Sequence, residues 1–224
     1  MTRHSLLIVE DNAKLSQSIR SQLRSNFSIL QAPTLRQAFN LLETQPPFDL
    51  ILLDRTLPDG DGLDLISKLD EFYPQTRICV LSQRDALAEK MRGFDQGADV
   101  YLCKPIHLKE LKAQVMALIR RGRVYHNHVI RCGPIRLDTS THSLNYKGCE
   151  LKLTQRESVI VGAFLDNPQH FLSSSQLFNL FWEIGHEPNP SLVHVSIQRL
   201  RRKIKPLQVT IHSHYGAGYQ LRFP

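Results

Sequence analysis

No stretch of this 224-residue sequence is apolar for long enough to span a membrane, and no signal peptide opens it. Both absences point to a soluble, cytoplasmic protein with no membrane partner. Cysteine is scarce: Cys79, Cys103, Cys132 and Cys149 form no CxxC or other metal-ligand spacing. They read as reduced thiols, with Cys79 and Cys103 lying inside apolar strand patterns where packing is their role. Low-complexity tracts are missing, and so is any short-period repeat beyond an alternation of strands and helices. After the first apolar strand comes Asn12-Ala13-Lys14 where a dinucleotide-binding turn would need glycines, which excludes a Rossmann-type cofactor site.

Charge divides what is present. Residues 1–121 carry 16 Lys+Arg against 15 Asp+Glu, whereas residues 122–224 carry 12 against 6 and hold eight of the ten histidines. A chain of this length exceeds a typical single domain, so two are expected: 1–121, a short polar linker over 122–128, and 129–224. The excess of positive charge in the second domain calls for an acidic partner such as nucleic acid.

The first domain is organised around Asp54. The run Leu50-Ile51-Leu52-Leu53 is too short for a helix and meets Pro58, Gly60 and Gly62 soon after, so it reads as a buried strand ending in a loop at Asp54. Four more strands fit the same pattern, Leu6–Val9, Phe27–Ala32, Ile78–Ser82 and Val100–Lys104, and each is followed by an amphipathic helical period. Such alternation with right-handed crossovers predicts an α/β fold, a doubly wound five-stranded parallel sheet of flavodoxin-like kind with helices on both faces. Every strand of such a sheet ends on one edge, which brings Glu10, Asp11, Asp54, Ser82 and Lys104 together. Three carboxylates in one place repel unless a cation neutralises them, and all-oxygen ligation suits Mg²⁺. A lysine and a hydroxyl facing that metal fit an incoming phosphoryl group, with Asp54 as nucleophile. The rival reading, an aspartyl-phosphate hydrolase, wants a second aspartate two positions on, where this chain has Thr56.

In the second domain, short strand pairs are expected over Ile130–Asp138 and Ser143–Leu153. Thr154…Glu157 and Ser173…Gln176 have capping-box spacing, and Asn189-Pro190 supplies a cap and first-turn proline for a third helix that Pro206 ends. On that helix Val193, Ile197, Leu200 and Ile204 form the core stripe, while Ser191, Val195, Gln198 and Arg202, flanked by His194 and Arg199, lie opposite. A third helix after two capped ones, followed by a Gly-rich hairpin through His214-Tyr215-Gly216-Ala217, argues for a helix laid in a major groove.

Glu10-Asp11, Asp54, Ser82, Tyr101 and Lys104-Pro105, in this order on these strands, resemble the receiver domain of two-component response regulators. Thr154-Gln155-Arg156-Glu157, Val193…Ile204 and Tyr215-Gly216-Ala217-Gly218-Tyr219 resemble the winged helix-turn-helix α+β effector domain of the OmpR/PhoB family. The resemblance implies that Asp54 is the phosphoacceptor and that Glu10, Asp11, Asp54 and the Thr56 carbonyl serve Mg²⁺. It further implies that Lys104 pairs with the phosphoryl group, that Ser82 and Tyr101 are the switch pair, and that Lys104–Pro105 is cis. Two departures stand out. Ser191, Leu192 and Gln198 occupy positions often held by arginine or threonine, and Tyr215 stands where a wing arginine is common, so phosphate neutralisation is thinner and Gln198 is free to read an adenine edge.

The expectation is therefore a DNA-binding transcriptional regulator, switched by a partner histidine kinase and acting with RNA polymerase. It is not an enzyme in the ordinary sense, since it catalyses only its own phosphorylation and dephosphorylation. The alternative is a phosphorylation-independent DNA binder whose receiver only dimerises. By the same resemblance phosphorylated copies pair through the fourth helix, fifth strand and fifth helix, with Lys90 and Glu110 as one charge pair. Val100 and Gln114 replace a second one.

Overall fold

The computed structural model describes residues 3–124, 129–180 and 189–223, and the chain divides into two units at Arg123/Val124. In the first unit the five apolar runs form β1 (His4–Val9), β2 (Phe27–Ala32), β3 (Leu50–Asp54), β4 (Arg77–Ser82) and β5 (Val100–Cys103), all parallel, in the order β2-β1-β3-β4-β5. Leu6–Val9 and Leu50–Leu53 are wholly inaccessible, as strands covered by helices on both faces must be. The order reverses between β1 and β3, and ligands of open α/β sheets bind outside the carboxyl ends of strands at such a reversal. Register puts those ends level, with Val9 beside Leu53, Asp54 beside Leu81 and Ser82 beside Cys103.

The helices begin where polar caps allow. Asn12 Oδ1 accepts from the amides of Lys14 and Leu15 at the start of α1 (Ala13–Leu23). At α2 (Leu35–Thr44), Thr34 accepts from Gln37, and the Asp59 carboxylate takes the amides of Leu35 and Arg36, each at 2.9 Å. These bonds, the Arg36 amide foremost, hold the Asp59 pKa below its usual value. They also tie the loop after Asp54 to the sheet's flank. That loop contains a small hairpin, Thr56–Leu57 with Gly60–Asp61, absent from the sequence expectation. It returns so tightly that a Cβ on Gly62 would lie 2.1 Å from the Asp54 carbonyl oxygen. There α3 (Leu63–Phe72) starts, followed by α4 (Leu87–Gln96) and α5 (Leu108–Val124). The last helix continues through residues 122–124, so the linker expected over 122–128 begins inside it, and residues 125–128 lie outside the described ones.

The second unit opens with an antiparallel meander of β6 (Val129–Cys132), β7 (Ile135–Asp138), β8 (Ser143–Tyr146) and β9 (Cys149–Lys152). Helices α6 (Gln155–Asp166), α7 (Ser174–Asn179) and α8 (Pro190–Ile204) follow, then the hairpin β10 (Thr210–His214) and β11 (Gly218–Arg222). Both predicted capping boxes are made, at Thr154/Glu157 and Ser173/Gln176. Val193, Ile197, Leu200 and Ile204 are buried against Phe164, Leu177 and Leu221 in one core.

One charged cluster sits inside that frame. Glu157, 2% exposed, accepts from its own cap amide at 2.8 Å, from Arg199 Nε at 3.1 Å and from Lys203 Nζ at 2.9 Å. The carboxylate thus closes the α6 cap and clamps α6 to α8. Removing one member of a buried, hydrogen-bonded charge cluster costs about 3–5 kcal/mol. Glu157→Ala is therefore expected to lower the unfolding free energy of the C-terminal unit by that order in denaturant titration; a loss under about 1 kcal/mol, the scale of exposed pairs, would show the clamp to be idle.

Candidate functional site

The receiver pocket assembles at the level ends of β1, β3, β4 and β5. Carboxylate oxygens of Glu10, Asp11 and Asp54 come within 4.8 Å of one another, with Asp11 exposed and the other two buried. Lys104, first residue past β5, brings its Nζ to 2.6 Å from Asp54 Oδ2 and 2.8 Å from Glu10 Oε2. The other oxygen of Asp54 accepts from the Thr56 amide at 3.1 Å, which fixes the carboxylate's orientation. The Lys104–Pro105 bond is cis, as expected.

Electrostatics follow from three acids facing one base. Burial, helped by the nearby negative charge of Asp54, raises the Glu10 pKa even though Lys104 opposes it. Burial alone would lower the Lys104 pKa, but its bonds to Asp54 and Glu10 outweigh that and leave it raised. Three carboxylates beside a single ammonium leave negative charge that it does not balance. The donors are all oxygen, so the residues fit a hard divalent cation such as Mg²⁺, with Glu10, Asp11 and Asp54 as its carboxylates.

Ser82 is fully buried, and its Oγ accepts from the Arg84 amide at 3.0 Å, which leaves the hydroxyl hydrogen to be donated elsewhere. Tyr101, also buried, donates its hydroxyl to the Arg84 carbonyl at 3.1 Å. Both residues of the expected switch pair therefore grip the backbone of one residue, Arg84. Sequence reasoning missed the residue beneath them. Arg55 is 1% exposed; its Nη1 reaches the Tyr101 hydroxyl at 3.4 Å and pairs with Glu89 of α4, while its Nε faces Asp61 at 3.5 Å. The available signal was a cation placed directly after the strand-end aspartate.

On the other unit, α8 presents His194, Gln198 and Arg202 as exposed and Ser191 and Val195 as half-buried. Gln198 Nε2 and His194 Nε2 lie 3.3 Å apart. Arg199 departs from expectation: its side chain, 15% exposed, turns toward α6 to meet Glu157 instead of joining the exposed face. Arg201, which the reading passed over, donates from Nε to the Ile211 carbonyl at 2.8 Å and from Nη2 to Ser213 Oγ at 2.6 Å, stapling the hairpin to the helix. Tyr215 is wholly exposed at the hairpin tip. In the region expected to dimerise, Lys90 is held by Asp85 of its own chain at 2.5 Å, Val100 and Gln114 are half-buried and Glu110 is exposed. No helix among the described residues is long and apolar enough to cross a membrane.

Comparison with known proteins agrees with this geometry. Residues 6–116 match the family described as "Response regulator receiver domain", and residues 148–221 match "Transcriptional regulatory protein, C terminal". The chain is 33% identical to the response regulator protein PmrA of Pseudomonas aeruginosa over 98% of both chains. It is 31% identical to the transcriptional regulatory protein TcrA of Mycobacterium tuberculosis, over 97% of this chain and 87% of that one. Among solved structures, a mutant form of RitR superposes with a TM-score of 0.79 at 23% identity, covering 99% of this chain and all of the other, a likeness of fold. With a receiver fold at one end, a winged-helix effector fold at the other and relatives spanning both, the chain belongs to the OmpR/PhoB family of two-component response regulators.

Proposed function

We propose that this chain is a transcription regulator whose DNA binding is switched when a partner histidine kinase gives its phosphoryl group to Asp54. The observation that carries the reading is Lys104 Nζ within hydrogen-bond distance of both Asp54 and Glu10 at the edge where three carboxylates converge. A bound Mg²⁺ would neutralise those acids and the phosphoryl oxygens together. Asp54, its carboxylate held by the Thr56 amide, attacks phosphorus, and the bond from phosphorus to the donor's nitrogen breaks. Lys104 moves from Asp54 Oδ2 to a phosphoryl oxygen, so its charge is never left unpaired. Ser82 donates the hydroxyl hydrogen that its bond to Arg84 leaves unused. The Thr56 backbone carbonyl completes the proposed metal set.

On DNA, α8 lies in the major groove with Ser191, His194, Val195, Gln198 and Arg202 toward the duplex, and Tyr215 reaches the backbone or minor groove from the wing. With one amide hydrogen turned to His194, Gln198 still offers its carbonyl and a second N–H, the pair that matches an adenine edge. Arg199 is left out of this set because Glu157 holds it. Phosphorylated copies dimerise through Lys90, Val100, Glu110 and Gln114, with Lys90 exchanging Asp85 for Glu110 of a second copy, and the dimer works with RNA polymerase in the cytoplasm. Exposed pairs are worth only about 0–1 kcal/mol, so that exchange is nearly neutral.

Three outcomes check the reading. Asp54→Asn should lose Mg²⁺-dependent labelling by a small phosphodonor altogether, and Lys104→Ala should slow it while leaving Mg²⁺ affinity in place; labelling of Asp54→Asn at the wild-type rate would refute the assignment. Gln198→Ala should cost about 1–3 kcal/mol on the preferred sequence and little on others. Arg202→Ala should weaken binding on all sequences and make the salt dependence shallower by about one unit. Equal DNA affinity and equal oligomeric state with and without phosphoryl label would instead favour a phosphorylation-independent regulator.

A further inference from the structure

Arg55 is a buried cation that none of these steps uses. Its backbone is continuous with the phosphoacceptor: the Arg55 amide donates to the Leu81 carbonyl of β4 at 2.9 Å, and its carbonyl accepts from Gly62 at 2.7 Å. Its side chain runs the other way, under α4. There the guanidinium pairs with Glu89, approaches Asp61 at 3.5 Å and donates to the Tyr101 hydroxyl at 3.4 Å, while Arg84 Nη1 stands 3.9 Å from the same Glu89 carboxylate. One turn along α4 from Glu89, Gly93 packs so closely on Tyr101 that a Cβ there would come within 2.9 Å of the ring. The helix is therefore seated at two points, sterically on Tyr101 through Gly93 and ionically on Arg55 through Glu89.

The guanidinium is also incompletely satisfied. Its Nε and Nη2 have no hydrogen-bond partner among the described residues. A buried charge held chiefly through one pair is sensitive to whether that pair persists. If α4 withdrew Glu89, Arg55 would keep Asp61 at 3.5 Å as its acidic partner, and its Nη1 would no longer be fixed by an ion pair beside the Tyr101 hydroxyl.

We propose that Arg55 is a positioning residue which, through Glu89 and Tyr101, holds α4 and the Arg84 backbone where Ser82 can meet a phosphoryl group on Asp54; this rests on the phosphoacceptor reading above. The chain of contacts is continuous. Glu89 fixes Arg55, Arg55 supports the Tyr101 hydroxyl, Tyr101 holds the Arg84 carbonyl, and the Arg84 amide occupies Ser82 Oγ so that its hydrogen is the group left for the pocket. Coupling between sites is reciprocal, so a phosphoryl group bound at Asp54 must in turn tighten the seat of α4.

The test uses the full chain with Mg²⁺ and beryllofluoride as the phosphoryl mimic. Glu89→Gln, a half-exposed position that keeps its shape, is made alone and together with Tyr101→Phe, and melting curves check that each variant folds. Glu89→Gln should weaken beryllofluoride at least about fivefold, the lower end of ordinary coupling, and by less than about twofold when Tyr101→Phe is already present, because the two changes break one path. In the wild type, beryllofluoride should slow amide hydrogen exchange in α4, and Glu89→Gln should abolish that slowing. Equal losses in both backgrounds, or no loss, would overturn the role of Arg55 while leaving the pocket intact. Failure of the wild type to bind beryllofluoride at all would instead sink the phosphoacceptor reading, and the inference with it.

Discussion

The ammonium of Lys104 between Glu10 and Asp54 is the constraint on which the receiver depends. Parallel strands bring their carboxyl ends to one edge whatever residues stand there, and this chain places three acids on that edge. Where two of them are buried, such charges persist together only if something positive is built in or bound. One lysine is built in and leaves negative charge over, and burial, with Asp54 nearby, keeps the Glu10 carboxyl from ionising readily. The pocket is thus suited to a cation, and in the proposed reading the phosphoryl group arrives with it. Its geometry is maintained by backbone contacts that tolerate no bulk, as the approach of Gly62 to the Asp54 carbonyl requires.

The second unit answers a similar problem differently. Glu157 has three donors, one from its own helix cap and two from α8. Two cations face that one carboxylate, so no negative charge is left over there. Two buried acids, Glu10 and Glu157, therefore have opposite meanings: the one among too few cations marks a candidate site, and the one between two cations marks a joint. Counting donors around a buried carboxylate separates the two cases where burial alone does not.

Much of this was legible in the sequence, and the reason is geometric. Strands covered on both faces leave uninterrupted apolar runs, so the inner strands and the residues at their ends could be read from Leu6–Val9, Leu50–Leu53 and Ile78–Leu81, while the partly exposed β2 showed only a broken run. Caps have fixed spacing, which exposed the starts of α6, α7 and α8. What escaped was whatever depends on side-chain direction at an element's edge. Arg55 follows the last residue of β3, where the alternation of faces no longer says which way a side chain turns. Arg199 borders the core stripe of α8, and only the presence of Glu157 on α6 decides that it faces inward. The extension of α5 into the expected linker was hidden because Arg120-Arg121-Gly122-Arg123 is as compatible with a helix end as with a loop.

Arg201 binds the hairpin to α8 at two points, the Ile211 carbonyl and Ser213 Oγ. Helix and wing are consequently one caliper instead of two fingers. In the DNA-binding arrangement proposed above, the span between the exposed face of α8 and the tip at Tyr215 would be set before any duplex is met, and a duplex would have to conform to it. Under that proposal, sequences whose groove widths already suit the span would bind without distortion, whereas stiff or mismatched ones would have to be bent to fit at a cost in free energy. A single arginine engaged with the hairpin would then contribute to which bases are preferred.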